Sequence, residues 1–191
     1  SVGTLNNNSY LLRCVNTGSG VLIDAAAEPN RLLTLIGPDG LIGVLTTHGH
    51  RDHWDALAEL VAATQARTYA PTADVTAINV PTDRALEQGS SVTFGDVTVK
   101  VLTTGGHTPG ASMFFYDDPF GYGHLFSGDC LFPGGIGKTA NPQDFATLFN
   151  AVKSPVFDVL PDTTWVYPGH GADTHVGMER GSLGEWETRG W

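Results

Sequence analysis

A chain of 191 residues, 41% hydrophobic and only 16% charged, is long and apolar enough to bury a real core, which excludes a disordered or fibrous protein. A formal net charge of −10, with the ten lysines and arginines scattered singly, lacks the basic face that nucleic acid or an anionic membrane would need. Two cysteines make no disulfide framework and point to a reducing, cytoplasmic compartment; no apolar run reaches the roughly 18–20 residues of a membrane span. No signal pattern opens the chain, but a start at Ser1 leaves room for a leader already removed.

In chain order, Y-L-L-R-C-V (Tyr10–Val15) and V-L-I-D (Val21–Asp24) read as a hairpin across N-T-G-S-G. Pro29 opens a helical stretch through Ile36, stopped by G-P-D-G. L-I-G-V-L-T (Leu41–Thr46) is a buried strand, followed by a helix over Asp55–Thr64 with Leu57, Leu60 and Val61 on one face. T-Y-A is a short strand ended by Pro71. From Ser91, two-residue alternation sets Val97, Val99 and Val101 against Thr98 and Lys100. Met113–Tyr116 and His124–Ser127 form another strand pair, Gln143–Val152 a helix, and Thr164–Tyr167 a last inner strand. The tail from Met178 to Trp191 reads as a surface helix. Strands and helices alternate with no linker or repeat, so the expectation is a single α/β domain over 1–191.

The chemistry lies in the loops. T-T-H-G-H-R-D-H-W (Thr46–Trp54) holds His48, His50, Asp52 and His53 at a strand's C-terminal end, with Asp52 and His53 expected to start the next helix. In H-x-H-x-D-H, His48 and His50 can converge on one point while Asp52 and His53 address a neighbouring one. The same rule, a His or Asp in a tight turn after a strand, finds three more: His107 in G-G-H-T-P-G, Asp129 in F-S-G-D-C and His170 in Y-P-G-H-G. Taken singly these read as turn or capping residues. Structural zinc fills four positions, often with Cys. Seven nitrogen and oxygen donors without a Cys ligand instead indicate a reactive site for two divalent metal ions: zinc, with iron or manganese as alternatives.

H-x-H-x-D-H, G-G-H-T-P-G, S-G-D and P-G-H-G, in that order, resemble the metallo-β-lactamase fold superfamily over most of the chain. The resemblance implies a four-layer αββα sandwich with the metals at one edge of the two sheets. It also implies a ligand set: His48, His50 and His107 on one metal, Asp52, His53 and His170 on the other, Asp129 bridging. F-S-G-D-C-L-F-P-G-G-I-G-K-T (Phe126–Thr139), P-G-H-G and G-M-E-R look like short bacterial glyoxalase II-like hydrolases, which cleave thioesters such as S-lactoylglutathione. Lys138 matches a basic position that contacts the thiol carrier in relatives.

The implied activity is a hydrolase of thioesters or other acyl-thiols, a small-molecule substrate, in which metal-bound hydroxide attacks the carbonyl and Asp52 orients it. Alternatives are a mononuclear iron persulfide dioxygenase, a hydrolase of another ester, lactone or β-lactam, and a non-catalytic metal-binding protein. Little sequence follows His170, where longer glyoxalase II enzymes carry a helical domain that helps hold glutathione, so another thiol carrier stays open. Cys130 stands where relatives often have Thr and reads as a small buried residue. Trp54 is expected to shape the pocket mouth or to pack on the following helix. Arg180 is expected in a structural ion pair, with His124 and His175 outside the ligand set.

Overall fold

A computed structural model describes residues 1–190. Five strands make the first sheet: β1 (Tyr10–Arg13), β2 (Gly20–Ile23), β3 (Gly43–Leu45), β4 (Arg67–Pro71) and β5 (Arg84–Leu86), in that spatial order. β1 and β2 form the expected antiparallel hairpin, and the remaining neighbours run parallel. The second sheet has six strands, β6 (Ser91–Phe94), β7 (Val97–Thr103), β8 (Ser112–Asp117), β9 (Gly123–Gly128), β12 (Trp165–Pro168) and β13 (Thr174–His175), ordered β13-β12-β9-β8-β7-β6. Only the β9–β12 pair in it is parallel. Between them in sequence, β10 (Leu131–Phe132) and β11 (Gly135–Ile136) make a small hairpin.

Alternation along the strands builds three apolar layers. Val21, Ile23 and Leu45 of the first sheet meet Val99, Val101, Phe114 and Phe126 of the second, and this is the seam between the sheets. Leu22 and Val44 point the other way, onto α1 (Pro29–Ile36) and α2 (Leu57–Thr64), through Leu32, Ile36, Leu57 and Leu60. Met113, Phe115, Leu125 and Val166 take α3 (Pro142–Val152) through Phe145, Leu148, Phe149 and Val152. The result is the four-layer αββα sandwich. α3 begins with a complete start signal: the Asn141 side chain accepts from the Asp144 N–H at 2.9 Å and Pro142 takes the first turn, where no N–H is needed.

The tail differs from a surface helix. It breaks into α4 (Val176–Glu179) and α5 (Leu183–Arg189), and Trp186 is 2% exposed, edge-on to Phe157 at 6.0 Å. Trp186 therefore closes this chain's own third layer; Trp191 lies outside the described residues. Arg180 pairs with Asp162 at 2.6 Å as expected. No helix among the described residues is long and apolar enough to cross a membrane.

Candidate metal centre

Because β7, β9 and β12 point the same way, the turns that leave them open at one edge of the second sheet, beside the turn after β3 of the first. Those four turns carry His107, Asp129, His170 and the His48–His53 cluster, so residues far apart in sequence meet across the sandwich edge. Asp52 and His53 do not start α2 but occupy a single 3₁₀ turn, Arg51–His53, ahead of it. That extra turn lets His53 point back into the seam, where it is fully buried.

The seven donors form a continuous cluster. Ligand atoms of His48, His50 and His107 lie within 4.8 Å of one another, as do those of Asp52, His53 and His170, and those of His48, His53 and Asp129. Asp129 sits between the two outer trios, with Oδ1 3.4 Å from His53 Nε2 and Oδ2 3.5 Å from both His107 Nε2 and His170 Nε2. Glycine makes this approach possible. A β-carbon at Gly169 would run into the Asp129 carboxylate and the His53 ring.

The outer nitrogens of the rings are pinned by acceptors. His53 Nδ1 donates to Asp24 Oδ2 at 2.8 Å, His107 Nδ1 to the Lys138 carbonyl at 2.7 Å, and His170 Nδ1 to the Leu5 carbonyl at 2.9 Å. The Thr47 hydroxyl donates to Asp24 Oδ2 at 2.8 Å, which leaves its oxygen to accept from His48 Nδ1 at 3.0 Å. A neutral imidazole whose Nδ1 carries the hydrogen presents a bare lone pair on Nε2. With all four rings neutral, as a bound cation requires, four such lone pairs would face one space. His48 Nε2 is 3.0 Å from His50 Nδ1, and His53 Nε2 is 3.2 Å from His170 Nε2. Nitrogens this close repel unless a proton or cation lies between them. Among the described residues, His107 Nε2 and Asp129 Oδ1 are buried with no hydrogen-bond partner, an arrangement that costs free energy unless a ligand completes it. The donor set fits divalent cations.

Charge divides the cluster. Burial and the neighbouring imidazoles hold His48 well below the usual histidine range, and burial with His107 lowers His50. For His53, burial is outweighed by the paired Asp24 carboxylate, with Asp129 and Asp52 behind it, and the ring is raised. His170 is pushed up to about 9, chiefly by its hydrogen bond with Asp129, against the opposing effect of burial. For Asp129, burial is outweighed by that same bond and by the His53 charge, and the carboxyl titrates low.

Lys138, Thr139, His50 and His107 line a cleft of about 320 Å³ at one side of the cluster. A second cleft of about 450 Å³ opens beside Asp52, walled by the N-terminal segment. Trp54 does not reach either. It is 8% exposed, packs among the residues under α1 and α2, and donates Nε1–H to the Gly49 carbonyl at 3.0 Å, which stiffens the metal loop from behind. Cys130 is buried with its thiol raised to about 12 by burial, so it supplies no thiolate. His124 bonds the Tyr167 hydroxyl and His175 caps α4, both outside the cluster.

Three supporting residues escaped the sequence reading. Asp24 ends β2 and anchors Thr47 and His53. Asp74, in the turn Thr72–Ala77, joins the His48–His50 loop to the His107 loop by accepting from Gly49 N, Thr108 Oγ1 and Gly110 N. Asn7 bonds Asp52. An Asp directly after an apolar strand was a usable signal for Asp24; nothing local marks the other two.

The pattern of the metallo-beta-lactamase superfamily matches residues 2–175, and the chain belongs to that superfamily. The hydroxyacylglutathione hydrolase of Rhodopseudomonas palustris is 34% identical over 170 residues, covering 86% of this chain and 62% of its own length. The chain therefore spans less than two thirds of that relative. Among solved structures, TTHA1623 in a di-iron-bound form is 34% identical, with a TM-score of 0.77 and 93% and 94% of the two chains covered. BLEG-1, described as a B3 metallo-beta-lactamase, is 27% identical, with a TM-score of 0.80 and 93% of each chain covered.

Proposed function

We propose that the protein is a metallohydrolase with two divalent metal ions, acting on the thioester of a small thiol. The observation that carries this is the pair of donor trios, His48, His50, His107 and Asp52, His53, His170, with Asp129 between them. The iron dioxygenase alternative would use one trio only, and the number of ions bound per chain separates it from this reading. Bound there, the ions would supply a water of strongly lowered pKa and polarise a carbonyl. The di-iron form of TTHA1623 supports a two-metal reading, and zinc is our choice among ions that imidazole and carboxylate suit.

What the chain itself contributes is orientation. Asp24, Lys138 O and Leu5 O fix three rings so that no rotation is needed when substrate arrives. Asp52 presents a carboxylate at the margin between the second trio and the adjoining cleft, suited to orient a water. Lys138 places an ammonium at the mouth of the other cleft, where a carboxylate of the thiol carrier would pair with it. The hydrolase relatives support the thioester; the likeness to BLEG-1 makes a β-lactam the reading to test beside it.

Elemental analysis of purified protein, followed by assay on S-lactoylglutathione, other acyl-thiols, a lactone and a β-lactam, tests this. The expected result is about two metals per chain, thioester turnover, and its loss in His50→Ala and Asp129→Ala variants that still fold. One iron per chain with dioxygen uptake, or turnover surviving in those variants, would sink it.

A further inference from the structure

The second trio is held partly by a segment that carries none of the donors. Residues 2–8 run along the turn after β12: Asn7 pairs with His170 in an antiparallel bridge, Asn8 N–H donates to the Gly169 carbonyl at 2.7 Å, and Leu5 O takes the His170 Nδ1 hydrogen at 2.9 Å. Asn7 lies between this turn and the metal loop and is 2% exposed. Its side-chain amide donates to two oxygens of one residue, the Asp52 carbonyl and Asp52 Oδ2, each at 2.9 Å.

That second bond is the informative one. Asp52 Oδ2 is also the oxygen that faces the trio, 3.4 Å from His170 Nε2 and 3.7 Å from His53 Nε2. Among the described residues, Asn7 is the only hydrogen-bond donor to the Asp52 carboxylate apart from those rings. Arg51, next in sequence, is turned away to Asp55 at 2.7 Å. The Asp52 side chain is 34% exposed and borders the 450 Å³ cleft, so without Asn7 it has room to swing out of the trio. An asparagine present only to fasten the backbone would spend both hydrogens on carbonyls.

We infer that Asn7 is a positioning residue for the second metal: it locks the Asp52 carboxylate on the trio and so sets the affinity of that site alone. The inference rests on the two-metal reading above. Losing an outer partner of a ligand typically weakens metal binding about 10–100-fold. The loss should fall on the Asp52, His53, His170 site and spare the His48, His50, His107 site, which Asn7 does not touch.

The test is titration of metal-stripped protein with Zn²⁺ against a chromogenic chelator, for the parent, Asn7→Ala, Asn7→Asp and Asn8→Ala. Asn8 fastens the same turn through the Pro168 and Gly171 carbonyls, at 3.0 and 2.9 Å, without reaching Asp52. The expectation is two ions per chain in the parent and in Asn8→Ala, with the weaker-bound ion lost about 10–100-fold more readily from both Asn7 variants. Asn7→Asp keeps the shape and backbone pairings but sets a carboxylate against a carboxylate, which covers the case in which Asn7→Ala fails to fold. Parent-like affinity in the Asn7 variants, or an equal loss in Asn8→Ala, overturns the role of Asn7 alone. A parent that binds a single ion overturns it together with the two-metal reading.

Discussion

Asp74→Asn isolates how the metal loops are fastened to each other. The native carboxylate is 2% exposed and takes three donors: Gly49 N at 2.8 Å and Thr108 Oγ1 at 2.5 Å on Oδ2, and Gly110 N at 2.8 Å on Oδ1. Both glycines are close to it by necessity, since a β-carbon on Gly110 would stand 2.9 Å from Asp74 Cγ. In the amide variant one oxygen becomes an N–H₂ group, and the least costly orientation sets it against Gly110 N, leaving that buried donor unpaired at about 1–3 kcal/mol. The two remaining bonds lose their charge assistance, roughly half their strength. Together the loss is about 3 kcal/mol, which for a chain of this size lowers Tm by about 6–12 °C. Thermal unfolding of the metal-stripped variant, followed by circular dichroism, reads this directly. A variant that melts within about 2 °C of its parent would refute the claim that Asp74 ties the two loops.

Two further expectations follow from the charges. His48 and His50 titrate low and His53 and His170 titrate high, His170 at about 9, in the metal-free protein. A metal binds only the neutral ring, so His48 and His50 should add little pH dependence to Zn²⁺ binding above about pH 6.5, while affinity at the second trio should climb until about pH 9 as the His170 proton becomes easier to displace. The sign for stability is opposite. Because His170 is raised above its unfolded value, its contribution to the metal-free fold is complete below about pH 6.5 and fades as pH rises through about 9. Zn²⁺ titrations at pH 6.5, 7.5 and 8.5 check this, and equal pH slopes at the two sites would contradict it. Lys138→Ala removes an ammonium from the cleft but keeps the backbone carbonyl that holds His107, so KM for anionic acyl-thiols should rise about three- to tenfold with kcat preserved. A fall in kcat at unchanged KM would move Lys138 out of carrier binding.

The seven candidate donors that the fold brings together could be picked out because each sits in a turn whose chemistry is local: Gly, Pro and His or Asp within a few residues of an apolar run. The sheets were legible for the same reason, since Val97, Val99 and Val101 declare a strand without reference to anything distant. Short strands such as Arg84–Leu86 and Thr174–His175 have too few residues to show a period. The residues that hold the donors in place were hidden for a different cause. Asp24 reaches His53 across 29 positions, Asp74 reaches Gly49 across 25 and Asn7 reaches Asp52 across 45, and each bond exists only once segments distant in sequence have come together. Asn7 in N-N-N-S-Y looks like any polar residue before a strand. Its role is defined by the Asp52 oxygen it meets, and that meeting depends on the bridge between residues 7 and 170. A candidate donor set can thus be read from one-dimensional turn chemistry, while the hydrogen bonds that hold it in place join segments distant in sequence and cannot. This is why the Asn7 variants are expected to tell the two trios apart, while Asp74→Asn reads how the His48–His50 loop is fastened to the His107 loop.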